Sequence, residues 1–152
     1  MSTDLYDTDL YDTDLYAWAT NNAALIRAGR LAEVDFLHIA EELESMGRSE
    51  RRAITSRLEV LLMHLLKWRL QPGRQSRSWQ LTIKEQRRRL ARLLAENPSL
   101  QADLPAILAD AYPDAVLSAA RETGLEEASF PDTCPFALAD VLDAEHWPEP
   151  AA

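Results

Sequence analysis

The chain has 152 residues, of which 47% are apolar and 27% are charged, proportions typical of a soluble globular domain. Its formal net charge of −9 is unevenly placed: residues 48–92 carry 13 basic and 3 acidic side chains, whereas the rest of the chain carries 3 basic and 22 acidic ones. The acidic N-terminus lacks the positive end and apolar run of a signal peptide, and no stretch reaches the roughly 20 apolar residues of a membrane span. We therefore expect a cytoplasmic protein with no membrane segment, and its single cysteine excludes an internal disulfide.

The residue usage predicts an all-α fold. Leucine occurs 24 times and alanine 23 times, whereas the β-branched residues valine and isoleucine together occur 9 times. Leucine and alanine lose little on entering a helix, and β-branched residues favour strands. We predict an irregular multi-helix bundle closed by a proline-rich C-terminal wrap.

The chain begins with a repeated pentapeptide, DLYDT, at residues 4–8 and 9–13 and in part at 14–16. A period of five matches neither a helix nor a strand, so the repeat cannot build one continuous apolar face. We predict that residues 1–13 are a disordered acidic extension and that residues 14–150 are a single helical domain. A short acidic-aromatic interaction arm is the alternative for the repeat.

Two helices are predicted before the basic segment. The first begins at Asp14 and is capped by Gly29, and the second covers about residues 33–46 and is closed by Gly47. The apolar stripe of the second helix consists of five residues: Phe36, Ile39, Ala40, Leu43 and Met46.

The third and fourth helices carry the basic segment. Ser49 is predicted to cap the third, which has heptad-like apolar spacing from Ile54 to Trp68, forms the centre of the bundle and stops before Pro72. The fourth covers about residues 78–96. Along it, Lys84, Arg88 and Arg92 form a basic stripe at successive steps of four residues.

The last third of the chain is predicted to contain shorter elements. Residues 98–103 and 105–123 have helical patterns, and Gly124 ends the second of them. Pro113 should kink or break that helix near Tyr112. One short helix is predicted at about residues 135–142, among the prolines of the tail.

Several long and unusual strings in the chain resemble a known family. The run AEELESMGRSERRAITSRLEVLLMHLLKWRLQPGRQSRSWQLTIKEQRRRLARLL, the opening YDTDLYAW and the closing FPDTCPF and HWP are similar to the bacterial family catalogued as domain of unknown function twenty-nine. The resemblance covers nearly the whole chain and starts at the last repeat unit. It implies a helical domain, and it supplies no activity and no catalytic residues.

His64 is the candidate for chemistry in the middle of the third helix. It could act as a general base or a metal ligand with Glu41 and Glu44, because zinc and iron sites in helical bundles draw glutamate and histidine from facing helices. A turn at Gly47 would bring these glutamates back along the following arginines, where ion pairing is the alternative role for them. A histidine hydrogen-bonded at the margin of a helix is the structural alternative for His64. No metal site and no cofactor are predicted.

The strongest surface signal is a set of basic residues interleaved with tryptophans. Arginine and tryptophan are enriched at protein interfaces, and arginines with aromatic rings also suit phosphate contacts and base stacking. The alternative is that acidic neighbours neutralise the arginines internally. The candidate binding residues are Arg57, Trp68, Arg74, Arg77, Trp79, Lys84, Arg87, Arg88 and Arg92.

Three functions follow from these features. We favour a non-enzymatic protein-interaction module, either self-associating or bound to another protein through residues 68–92, because no phosphate loop, nucleophile elbow or zinc-protease motif is present. A nucleic-acid-binding regulator or antitoxin-like protein is the alternative, although the net charge of −9 would repel a polyanion at long range. A small enzyme or metal protein centred on His64 with Glu41 or Glu44 is the third.

Overall fold

A computed structural model describes residues 10–151, and the prediction of an all-α multi-helix fold is confirmed. Helices and 3-10 turns are the regular elements, and that part of the chain contains no strand. We label the helices α1 (Leu15–Arg27), α2 (Phe36–Leu70), α3 (Arg77–Glu96), α4 (Leu104–Thr123) and α5 (Leu138–Leu142). The 3-10 turns are Leu31–Glu33, Pro72–Arg74, Pro98–Asp103 and Glu127–Ser129.

Within residues 10–151, no helix has the combination of length and apolar composition that crossing a membrane requires.

Contacts divide the chain into two compact units, Met1–Arg48 and Ser49–Ala152, and the division falls inside α2. In the first unit, Trp18 and Val34 are buried between α1 and the start of α2. The buried Asn22 donates to the carbonyl of Trp18 and accepts from the backbone N–H of Asp35, which fixes the turn between the two helices. That all of residues 14–150 form one domain stays a prediction.

Residues 10–13, inside the last full copy of the repeat, are helical, which differs from the disorder predicted for residues 1–13. The physical reason is Tyr11, whose ring stacks on His38 at 4.0 Å and meets Trp18 edge-on at 4.9 Å. Aromatic contacts of this kind hold a segment that its composition alone would leave unanchored. The remainder of the predicted disordered extension lies outside the described residues.

The second unit is built around the C-terminal half of α2, as predicted. Its core combines apolar side chains of α2, α3 and α4 with three from the C-terminal wrap. The fully buried members from α2 are Ile54, Leu58, Leu61, Leu62, Leu65 and Leu66. The wrap contributes Phe130, Phe136 and Val141, so the proline-rich tail covers the core with apolar side chains.

The predicted helix end at Gly47 is wrong, because α2 runs without interruption from Phe36 to Leu70. A single glycine inside a helix costs only about 1 kcal/mol relative to alanine, and no proline stands nearby to stop the helix. The turn expected to carry Glu41 and Glu44 back along the arginines, and the cap expected at Ser49, are therefore absent.

Two other glycines end helices as predicted. Gly29 and Gly124 have φ angles of 72° and 75°, in the left-handed region that favours glycine. Of the kink or break predicted at Pro113, the break is wrong, because α4 continues through this residue. Proline lacks a backbone N–H for the carbonyl of Ala109, but both residues are exposed and water can take its place.

Candidate functional site

Helix α3 presents an apolar side to the core and a basic side to solvent. Ser76 caps the helix by accepting a hydrogen bond from the Trp79 N–H at 3.2 Å. Ile83, Leu90 and Leu94 are buried at steps of seven and four residues. The opposite side of the helix is therefore exposed along its whole length.

We call the exposed basic residues of this side the basic stripe: Arg77, Lys84, Arg88 and Arg92 on α3, with Arg74 in the turn before it. None of the five forms an ion pair with another described residue. Leu81 lies within the stripe and is 52% exposed. These five predicted binding residues therefore form an open cationic surface with an apolar centre.

Arg87 is on the same helix but has a structural position. Its side chain is buried, and its guanidinium donates through Nε to the carbonyl of Val141 at 2.9 Å and through Nη2 to that of Asp140 at 3.2 Å. Burial lowers the pKa of Arg87, although the group remains a cation at physiological pH. Arg87 holds α5 against α3 and is unavailable to a partner.

The two tryptophans named as binding residues also contact the protein itself. Trp68 packs against Trp147 with ring centroids 4.8 Å apart, and the Trp79 ring lies 4.5 Å from the ammonium nitrogen of Lys67. Arg57 is half-buried on α2. Since stacking on bases needs free aromatic faces, these contacts reduce what the two rings could offer a nucleic acid.

Lys67 is a buried cation that the sequence did not single out. Its side chain is 7% exposed and forms an ion pair with Glu122 of α4, which is 47% exposed. Lys67 and Glu122 are 55 residues apart in the chain, so nothing local in the sequence signals this ion pair.

His64 is next to this pair and is largely buried. Its Nδ1–H donates to the carbonyl of Val60, one helical turn earlier, at 2.9 Å. Burial lowers the pKa of His64, so the ring is neutral at physiological pH. Glu41 and Glu44 are exposed and belong to the first unit, whereas His64 belongs to the second. A chemical role for the three together stays a prediction.

A polar cluster in the first unit was not predicted as a site. The Asp35 carboxylate accepts from Trp18 Nε1 at 3.0 Å and lies 2.7 Å from Nδ1 of His38, and the Tyr11 hydroxyl donates to Glu42 at 2.6 Å. The hydrogen bond to Glu42 raises the pKa of Tyr11 to about 12. The sequence signal that could have pointed to this cluster is an aspartate, Asp35, directly before a helix. In that position it caps the helix by accepting a hydrogen bond from the backbone N–H of His38.

We expect the substitution Asp35→Asn to lower the pKa of His38 towards its ordinary value. The hydrogen bond with Asp35 raises the pKa of His38. For Asp35 itself, burial opposes ionisation, but the hydrogen bonds from Trp18 and His38 outweigh burial and lower the pKa of the carboxyl group. The pair should therefore stabilise the fold fully between pH 3.8 and 6.5, with loss in acid as Asp35 protonates and in base as His38 deprotonates. NMR titration of the His38 ring protons in the wild-type protein and in Asp35→Asn measures the change in the pKa of His38. An unchanged midpoint for His38 would contradict it.

Among residues 10–151, no group of three or more histidine, cysteine, aspartate or glutamate side chains is placed to hold a metal ion.

The fold and this surface define an all-α protein with an open cationic helix face. The chain belongs to the family described as domain of unknown function DUF29, whose model matches residues 10–147. Neither the curated proteins nor the solved structures gave a match to the chain.

Proposed function

We propose that the protein is a non-enzymatic interaction module whose basic stripe binds an acidic protein surface. The observation that carries the proposal is that Arg74, Arg77, Lys84, Arg88 and Arg92 are exposed and form no ion pair with another described residue. The same helix places Arg87 in the interior and pairs Arg89 with Glu85 at 2.8 Å. Contacts within the protein thus account for Arg87 and Arg89 and leave the stripe unexplained by the fold.

A protein partner is supported over a nucleic acid by the surroundings of the stripe. The exposed Leu81 within it favours a partner with its own apolar surface, since protein interfaces bury apolar centres within polar rims. Trp68 and Trp79 contact Trp147 and Lys67, so base stacking has little support.

The test is a titration of labelled poly-L-glutamate at low salt, compared with single-stranded and duplex oligonucleotides. We expect the wild-type protein to bind poly-glutamate, and R88E/R92E to bind it about tenfold or more weakly, because two attractive contacts become repulsive. R52E/R121E is the matched control: it reverses two exposed arginines outside the stripe and should keep most of the affinity.

Two outcomes would overturn the proposal. If R88E/R92E and R52E/R121E weaken binding equally, net charge rather than the stripe controls the interaction. If an oligonucleotide binds more tightly than poly-glutamate, with a steep salt dependence that R88E/R92E removes, the partner is a nucleic acid.

A further inference from the structure

The N-terminal part of α2 has an apolar face with no partner in the described chain. Phe36, Ala40, Leu43 and Gly47 follow at steps of four, three and four residues, which places them on one side of the helix. Leu37 and Met46 lie at its edges. All six residues are exposed, with Leu37 at 83%, Leu43 at 62% and Met46 at 64%. We call these six residues the apolar face.

Gly47 is an independent sign that this face receives another chain. It lies inside a helix, where glycine is unfavourable by about 1 kcal/mol relative to alanine. A Cβ atom added at Gly47 would meet nothing within 4 Å, and its φ angle does not require glycine. Nothing within this copy therefore requires a glycine at position 47. A glycine would, however, let a helix of another chain approach α2 closely at this point.

Charge then indicates which surface covers the apolar face. Glu41 and Glu44 border it, both are exposed, and residues 10–48 carry 7 acidic and 3 basic side chains. Helix α3 carries 6 basic and 2 acidic side chains, and its stripe surrounds the exposed Leu81. Glu41 and Glu44 are separated by about 4.5 Å along the helix axis, and Arg88 and Arg92 by about 6 Å, so the two pairs have similar spacing.

We propose that the apolar face of one copy binds the basic stripe of a second copy, which makes the second copy the acidic partner of the proposed function. With the two helices parallel, Glu41 and Glu44 would face Arg88 and Arg92 of the second chain, and Phe36 would lie near its Leu81. The two surfaces differ, so the contact is head-to-tail: in a pair, one copy keeps a free basic stripe and the other keeps a free apolar face. One helix against one helix is a small interface, for which a weak, concentration-dependent association is typical.

Charge reversal on each surface tests the proposal by sedimentation velocity. The average mass of wild-type protein should rise with concentration, whereas R88E/R92E alone and E41K/E44K alone should stay monomeric. An equimolar mixture of the two variants should associate, because each supplies the surface that the other lacks. E126K/E127K, which reverses two exposed glutamates of the second unit, is the matched control and should associate like wild type.

Far-UV circular dichroism of each variant checks that the helices remain, and all four reversed side chains are exposed. A monomeric mixture of correctly folded variants would overturn the proposal, as would association of R88E/R92E by itself. If wild type binds poly-glutamate through the stripe but remains monomeric at every concentration, the proposed function stands and the pairing of copies fails.

Discussion

Replacing Arg87 with methionine is expected to destabilise the protein by about 2–4 kcal/mol. Arg87 is 4% exposed and its guanidinium donates to the carbonyls of Val141 and Asp140. Hydrogen bonds from a charged donor contribute about 1.5–3 kcal/mol each. Removing the buried cation offsets part of this loss, because its Nη1 has no hydrogen-bond partner and the charge no longer needs to be desolvated. Methionine keeps the length of the side chain, so the effect reports mainly the lost hydrogen bonds.

Urea unfolding followed by tryptophan fluorescence measures this change, since Trp147 lies 5.7 Å from the guanidinium carbon. The matched control is Arg88→Met, one residue along the helix, where the side chain is exposed and forms no ion pair within residues 10–151. We expect it to alter stability by about 0.5 kcal/mol or less. If the two substitutions have equal effects, Arg87 does not hold the C-terminal wrap.

The second large effect is expected at the pair of Lys67 and Glu122. Glu122→Gln should destabilise the protein by about 2 kcal/mol, since it leaves a buried ammonium without its counter-charge. This is below the full cost of breaking a buried pair because Glu122 is 47% exposed and water can reach it. Lys67→Met should change stability by about 1 kcal/mol or less, because it removes the charge together with its desolvation and keeps the apolar stem.

The order of these two effects is the informative result. The exposed pair of Glu85 and Arg89 supplies a control, since Glu85→Gln should cost about 0.5 kcal/mol or less. Thermal or urea unfolding of the three variants measures the loss of stability. We expect the largest loss for Glu122→Gln, a smaller one for Lys67→Met, and little or none for Glu85→Gln. A larger loss for Lys67→Met than for Glu122→Gln would mean that the ion pair and the contact with Trp79 are net stabilising.

The helices themselves could be predicted because their signals are local. Periodic apolar residues defined α2 and α3, and Gly29 and Gly124 end helices because each takes a backbone angle that other residues avoid. Gly47 and Pro113 were misleading, since a glycine or proline interrupts a helix only when its cost exceeds what the flanking turns contribute. The sequence shows where the glycine or proline stands, but it does not show how much the packing of the flanking turns stabilises the helix.

The roles of the basic residues could be predicted only in part. The spacing of Lys84, Arg88 and Arg92 placed them on one face, and they do lie together on the exposed side of α3. The different role of Arg87 depends on Val141, 54 residues later in the chain, and that of Lys67 on Glu122 of another helix. Which arginine is buried is decided by packing between distant segments, and one sequence without structure does not define that packing.

The most direct test of the open stripe is the reactivity of single arginines towards phenylglyoxal, measured by mass spectrometry with and without poly-L-glutamate. In the free protein at low concentration, Arg77, Arg88 and Arg92 should react readily and the buried Arg87 should be protected. Poly-glutamate should then protect Arg88 and Arg92 and leave the exposed Arg121 reactive. Equal protection of Arg87, Arg88 and Arg92 in the free protein, or no change at Arg88 and Arg92 on adding poly-glutamate, would contradict an open binding surface on this helix.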